Sequence, residues 1–306
     1  MIMDFFKPIL NLVWGFAGVN DTVRLKRQHP PENIEENYDI PYLSDGLRGH
    51  LLDVYVPQSA GGKKLPVIVD VHGGGWMYGY KEINRPYCLA LAEKGFIVVN
   101  INYRLCGGKD RVHLADQLQD CFAAFRWVRE NIAVYGGDTG NMFLTGDSAG
   151  GNLTCLSAAV CANEKLAQIA GVPAPGQLFR AYGATSPMID FTQKSPLTVS
   201  NRQVVFGADY KNDLFYKTFA NFAKIAGKEL APFYLVTSNG DFLQEQGKQC
   251  YAVLLTNGVD VKFHNWTKNN QQHVFSVIEP FKGPGQIIIE EMTRFFKSKM
   301  AVEADV

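Results

Sequence analysis

The sequence predicts an α/β protein built on a mostly parallel sheet, and three observations carry that expectation. Runs near residues 67, 96, 142 and 233 are apolar at almost every position, as strands buried on both faces require. Between them lie longer stretches whose apolar residues recur at helical spacing. Strands alternating with helices imply right-handed crossovers and parallel pairing. At 306 residues, 46% hydrophobic and 20% charged, the chain has room for a sizeable core in one large α/β domain or two small ones.

The elements follow in order. The stretch from Pro8 to Val19 is apolar, carries Asp4 and one Lys before it, and is too short to span a bilayer. It is expected to form an amphipathic helix packed on the protein, with a secretion signal as the competing reading. Residues 20–45 are polar and proline-bearing and are expected to be a loop, so residues 1–45 form a separate N-terminal segment ahead of a main domain at 46–306. Strands are expected at Leu51–Val56, Val67–Val71, Phe96–Asn102, Met142–Thr145, Gln177–Tyr182, Phe233–Thr237 and Val261–Asn265. Helices are expected near 84–94, 114–133, 151–164, 243–257 and 284–299. In the second, Leu114, Leu118, Cys121, Phe122, Phe125 and Val128 fall on one face, the pattern of core packing. Residues 185–231 break the alternation with an insertion longer than a crossover needs, including a helix near 213–226, and read as a binding cover.

Composition narrows the functional classes. Thirty basic residues balance thirty acidic ones, without the concentrated basic surface that nucleic-acid binding needs. The six cysteines, Cys88, Cys106, Cys121, Cys155, Cys161 and Cys250, form no Cys-x-x-Cys pair and lie in apolar stretches. They read as buried thiols in a reducing, cytoplasmic compartment. No His, Cys and Asp cluster has metal-ligand spacing, so no metal or cofactor is expected.

The chemistry concentrates in "MFLTGDSAGGNL", residues 142–153. A buried run stops at Gly146, Ser148 follows between small residues, and a helix begins at once. Gly-x-Ser-x-Gly at a strand-to-helix junction is a nucleophile elbow: the outer glycines permit the close turn, and the helix aims its first amides at the exposed hydroxyl. A serine needs a base, which in this arrangement follows it in the chain. Of the two later histidines, His264 falls inside a strand pattern, whereas His273 lies in the polar loop "NNQQHVF" and is the expected base. Among the acids between them, Asp241 directly follows a buried strand, in "FYLVTSNGD", and is expected to orient the imidazole. Asp190, Asp209 and Asp213 belong to the insertion, and Asp260 to a turn.

Donors for an oxyanion are expected from "VIVDVHGGGWMYG", where a buried strand opens into Gly73, Gly74 and Gly75. The amides of Gly74 and Gly75, with that of Ala149, form the expected hole, and His72 is expected to orient the loop. Phosphate cradling fits poorly: Tyr80 stands at the lysine position of a P-loop, and Tyr78 where a dinucleotide loop needs glycine.

With His72-Gly73-Gly74-Gly75-Trp76, Gly146-Asp147-Ser148-Ala149-Gly150-Gly151, Asp241 and His273 in that order, the chain resembles the α/β-hydrolases, and among them the hormone-sensitive-lipase-like esterases. The likeness runs from about residue 49 to the C-terminus and includes "NYRL" at 102–105. It implies hydrolysis of carboxylic esters with short acyl groups or small aromatic acids, through an acyl-enzyme and without a cofactor. It also implies a cap over the acyl pocket, made from the N-terminal segment and the 185–231 insertion, with Trp14, Phe16, Phe206 and Tyr210 as lining candidates. Two positions depart from the family pattern: Val274 stands where a small residue is usual after the histidine, and Phe242 where proline is common after the aspartate. "LDVYVP" is shared with the capless feruloyl and acetyl-xylan esterases, which stay open as a reading, as does amide hydrolysis. A ligand-binding homologue is disfavoured because both nucleophile and base are retained. The expected partner is a small ester, with no nucleic acid and no stable membrane insertion. Exposed sheet edges are consistent with a homodimer.

Overall fold

In the computed structural model, residues 20–58, 61–62, 64–194 and 196–301 are described. One eight-stranded sheet organises them: β1 (Ile34–Pro41), β2 (Leu51–Pro57), β3 (Leu65–Val71), β4 (Ile97–Ile101), β5 (Gly137–Asp147), β6 (Ala181–Thr185), β7 (Phe233–Ser238) and β8 (Val261–Trp266). The strand order is β1-β2-β4-β3-β5-β6-β7-β8. β1 pairs with β2, and β2 with β4, antiparallel, while every other pairing is parallel.

Burial follows from strand alternation. Val67, Val69 and Val71 of β3 point into a core cluster with Leu118, Phe125 and Leu153. Ile68, between them, points to the other face and packs with Tyr87, Leu91, Val98 and Phe296. Helices α2 (Leu114–Asn131) and α3 (Ala149–Ala162) cover the first face. Helices α1 (Lys81–Glu93) and α9 (Gly283–Lys297) cover the second. In α9, Ile288, Met292 and Phe296 repeat every fourth residue and form its buried stripe. Each fully buried side chain of this size contributes roughly 1.5–3 kcal/mol, so both layers are needed to hold the central strands.

The remaining helices are α4 (Glu164–Ala170), α5 (Pro196–Phe206), α6 (Leu214–Phe219), α7 (Gln244–Thr256) and the short α8 (Phe275–Ile278). α5 and α6 lie in the insertion between β6 and β7. Trp76 packs on Phe191 at 4.8 Å between ring centroids, and Asn152 Nδ2 donates to the Met188 carbonyl at 2.8 Å. The insertion therefore sits against the C-terminal edge of the sheet, beside the glycine loop and the helix that follows the elbow.

Several expectations are corrected. Residues 20–45 are not a loop: residues 20–26 are helical and β1 occupies 34–41. The strand lacks an apolar run because it is a sheet edge, with Ile34 its only fully buried position and Glu36 paired with Arg85. The strand expected at Gln177–Tyr182 is displaced to Ala181–Thr185. On the face turned to α9 its residues, Ala181, Gly183 and Thr185, are small because that helix lies close: a Cβ on Gly183 would come within 2.8 Å of Met292 Sδ. The helix expected near 213–226 divides into α6 and a 3-10 turn at Phe222–Lys224, separated by Asn221, whose side chain accepts from the Ala223 amide. The expected helix at Pro8–Val19 lies outside the described residues. Among those described, no helix is long and apolar enough to cross a membrane. All six cysteines are buried and free.

Candidate active site

Parallel register brings the site's parts to one edge. Val71 at the end of β3 pairs with Gly146 near the end of β5, so the glycine loop and the elbow leave adjacent strands side by side. Ser148 sits between β5 and α3 at φ 53°, ψ −112°, a conformation that costs a non-glycine residue about 1–3 kcal/mol. Its backbone is fully engaged nonetheless. Its amide donates to the Thr185 carbonyl at 2.8 Å, and its carbonyl accepts from the Asn152 amide at 3.0 Å. The glycines are sterically required: a Cβ on Gly150 would lie 1.9 Å from the Val71 carbonyl oxygen, and one on Gly146 2.5 Å from the Gly150 oxygen.

His273 and Asp241 arrive on the loops after β8 and β7. Those loops are stitched together where Gly240 N donates to the Gln271 carbonyl at 3.0 Å and Ser238 Oγ donates to the same oxygen at 2.7 Å. His273 Nε2 lies 2.9 Å from Ser148 Oγ, and Nδ1 lies 2.7 Å from Asp241 Oδ1. A carboxylate only accepts, so Nδ1 carries the hydrogen and Nε2 is left as the acceptor facing the serine. Burial acts to raise the Asp241 carboxyl. It is outweighed by the hydrogen bond and charge of His273, the Ser186 hydroxyl and the Leu243 amide, which hold the group below its ordinary value. Asp241 thus stays ionised beside the imidazole.

The glycine loop is held from behind. The Gly73 amide donates to Asp147 Oδ1 at 3.0 Å, fixing the loop to the residue before the serine. Asn84 Nδ2 donates to the same oxygen at 2.9 Å and to Asp70 Oδ2 at 2.9 Å, bridging two buried carboxyls. Burial, then the charge of Asp147, pushes Asp70 up to about 8, and burial also raises Asp147. His72 lies within 2.7 Å of the Gly73 carbonyl through Nδ1 and stacks on Tyr103 at 4.3 Å. Burial lowers it to about 4, so it is neutral and acts as a loop support, as expected of it. Among the described residues, none accepts a hydrogen bond from the amides of Gly74, Gly75 or Ala149. Gly74 at φ 120° and Gly75 at φ 57° adopt backbone that a side chain would strain.

Other expected residues lie elsewhere. His264 stays in β8, with Nδ1 3.2 Å from Glu291 Oε2 and its ring stacked on Trp266. Phe206 packs edge-on against Phe191 and Tyr216, and Tyr210 against Tyr216, so both belong to the aromatic core of the insertion. Trp14 and Phe16 lie outside the described residues. Val274 takes φ 49°, rare for a β-branched residue, as it starts α8 directly after His273. A cleft of about 810 Å³ runs along α2, lined by Arg104, Phe122, Arg126 and Leu178, and shares no residue with the serine, histidine and aspartate. The candidate site is marked by its convergent polar groups and not by this cleft.

Fold and site together define a serine hydrolase of the α/β-hydrolase class. The BD-FAE family model matches residues 52–245. Carboxylesterase NlhH from Mycobacterium tuberculosis is 30% identical over 284 residues, covering 87% of this chain and 84% of that protein. Esterase LipQ from the same organism is 40% identical over 179 residues, covering 55% of this chain and 41% of that protein. Esterase B from Lactobacillus Rhamnosis superposes with a TM-score of 0.90 at 26% identity, over 97% of this chain and 96% of that one. Its tributyrin phosphonate-inhibited form has a TM-score of 0.89 at the same identity and coverage. The chain belongs to the hormone-sensitive-lipase-like carboxylesterases of the BD-FAE family, and its reaction is the hydrolysis of carboxylic esters.

Proposed function

We propose that Ser148 is the nucleophile, His273 the general base and acid, and Asp241 the residue that orients the imidazole. The observation that carries this reading is the unbroken relay from Ser148 Oγ through His273 to Asp241, at 2.9 and 2.7 Å. Ser148 Oγ attacks the ester carbonyl carbon while its proton passes to His273 Nε2. The carbonyl oxygen becomes an oxyanion that receives the amides of Gly74, Gly75 and Ala149. Each such donor is worth about a hundred- to a thousand-fold in rate. Collapse breaks the bond to the alcohol oxygen, which leaves with the proton from Nε2. Water then attacks the acyl-enzyme, giving a proton to Nε2; the acid departs, and that proton returns to Oγ.

The substrates are esters of short acyl groups or small aromatic acids. Inhibition of esterase B by a tributyrin phosphonate supports the short-acyl side of this reading. Residues 185–231 act as a cap over the acyl pocket, in keeping with the contact of Phe191 on Trp76. Six buried thiols favour a reducing, cytoplasmic setting, and the β1 and β8 sheet edges offer a homodimer contact that light scattering would detect.

The test is turnover of p-nitrophenyl acetate and butyrate. Ser148→Ala and His273→Ala are expected to lose about 10⁴-fold or more in kcat. His264→Ala is expected to stay close to wild type, because His264, in β8, bonds to Glu291 of α9. Wild-type rates in Ser148→Ala, or dependence on His264 in place of His273, overturn the assignment.

A further inference from the structure

Phe242, next to Asp241, is an exposed large aromatic residue, 69% accessible. Its ring lies on the imidazole of His273, with centroids 4.2 Å apart and planes at 40°. One face is thus spent on the base, and the rest of an apolar ring is left open to solvent at the site's rim. Lone exposed aromatics need no explanation, but this one touches the group that must hand its proton to the departing alcohol.

Resting on the assignment of His273 as that acid, we propose that Phe242 is a specificity-determining residue for the alcohol half of the ester, selecting alcohols that carry an apolar ring. The argument is one of reach. The alcohol oxygen has to come within hydrogen-bond distance of His273 Nε2, about 3 Å, to be protonated. Adding the imidazole's own radius and the 4.2 Å between rings puts that oxygen no more than about 8 Å from the Phe242 centroid. A ring attached one carbon beyond the oxygen has its centroid about 4 Å from it, which leaves about an aromatic contact distance to Phe242. The acyl group is placed differently: it hangs from the carbonyl carbon that Ser148 Oγ attacks, and its oxygen is turned toward the glycine loop. Phe242 therefore reads the leaving group and not the acyl chain. Aromatic packing of this kind gains about 0.5–1.5 kcal/mol, equivalent to about two- to twelvefold in kcat/KM.

The experiment compares kcat/KM for benzyl acetate and methyl acetate, whose alcohols are of nearly equal acidity and whose acetyl-enzyme is the same. The ratio then reports acylation alone. In Phe242→Ala the benzyl-to-methyl ratio is expected to fall about three- to tenfold, and in Phe242→Tyr, which keeps the ring, it is expected to stay at the wild-type value. An unchanged ratio in Phe242→Ala overturns the proposal. So does an equal loss on both esters, which would make Phe242 a support for the imidazole and nothing more. Ser148→Ala is run alongside: its loss of turnover on both esters upholds the underlying assignment, and retained turnover would fail that assignment whatever the Phe242 ratio does.

Discussion

Replacing Asp241 with asparagine separates the two roles proposed for the carboxylate, fixing the imidazole and balancing its charge. Oδ1 receives His273 Nδ1 at 2.7 Å and the Leu243 amide at 2.8 Å, whereas Oδ2 receives the Thr237 hydroxyl at 3.0 Å. An amide nitrogen at the Oδ1 position would point its hydrogens at two N–H groups. At the Oδ2 position it meets the Thr237 hydroxyl, which can turn round and accept. The asparagine is therefore expected to keep its carbonyl on His273, so the tautomer survives and only the charge is lost. With the carboxylate charge about 4 Å from the imidazolium and an effective dielectric of about 20, that charge is worth at most about 4 kcal/mol. The surviving hydrogen bond retains part of it, leaving an expected loss of about 10²–10³-fold in kcat. KM should hardly move, because the imidazolium exists only as the transition state is approached. Asp241→Ala removes the acceptor altogether and is expected to cost at least tenfold more, since the imidazole then loses its orientation as well. The assay is p-nitrophenyl acetate hydrolysis for both variants against wild type. An asparagine variant as poor as the alanine variant refutes the argument that Leu243 dictates the amide's orientation. One within a fewfold of wild type refutes the claim that charge builds up on His273.

Two further expectations concern the scaffold around the site. The Asp70 carboxyl, raised to about 8 in the fold and near its ordinary low value once unfolded, keeps a proton in the native state that the unfolded chain has lost. Stability should therefore fall as pH rises through the window from about 4 to about 8, by at most about 1.4 kcal/mol per pH unit for this one proton. Asp70→Asn cannot ionise, so its Tm should exceed that of wild type at about pH 8 and converge with it below about pH 4; parallel melting curves across that window would refute the shift. Gly150→Ala places a Cβ 1.9 Å from the Val71 carbonyl, where backbone on both sides prevents relief. It should cost about 3 kcal/mol or more in denaturant unfolding, and a variant of wild-type stability would show that the elbow yields more readily than this.

How much of the fold was legible depended on whether a strand's burial was written in its own residues. β3, β4 and β7 are buried on both faces, and their apolar runs announced them within a residue or two. β1 and β6 carry no such run, for opposite reasons. β1 is an edge strand whose side chains face water and the charged partners Arg85 and Lys81, so its sequence looks like a loop until β2 pairs with it. β6 lies inside the sheet, but Met292 and Phe296 press so close on one face that Gly183 can carry no side chain, which breaks the apolar run, and a glycine is not a strand signal. In both, a distant element sets the composition, and local pattern cannot report a neighbour about fifty residues away, as for Glu36 and Arg85, or twice as far, as for Gly183 and Met292.

The same division explains the site. Ser148, His273 and Asp241, which the fold brings within hydrogen-bond reach of one another, stand out in the sequence because each belongs to a local context with its own physical reason: a small-residue turn, a polar loop, and the end of a buried strand. The network behind them was not. Asp147 could be read as part of the elbow, but nothing local says that its side chain reaches 74 residues back to the Gly73 amide, or that Asn84 on α1 joins it to Asp70. Its cost offers an explanation of what it does. Two carboxyls at full burial, with one amide group between them, destabilise the fold wherever both would ionise. What the arrangement supplies in return is an acceptor for the Gly73 amide, which ties the glycine loop to the residue before Ser148. Strain at Ser148 and Val274, both at positive φ, fits the same logic. Strained backbone thus falls at Ser148 and next to His273, at the sheet edge where the surrounding structure over-determines it.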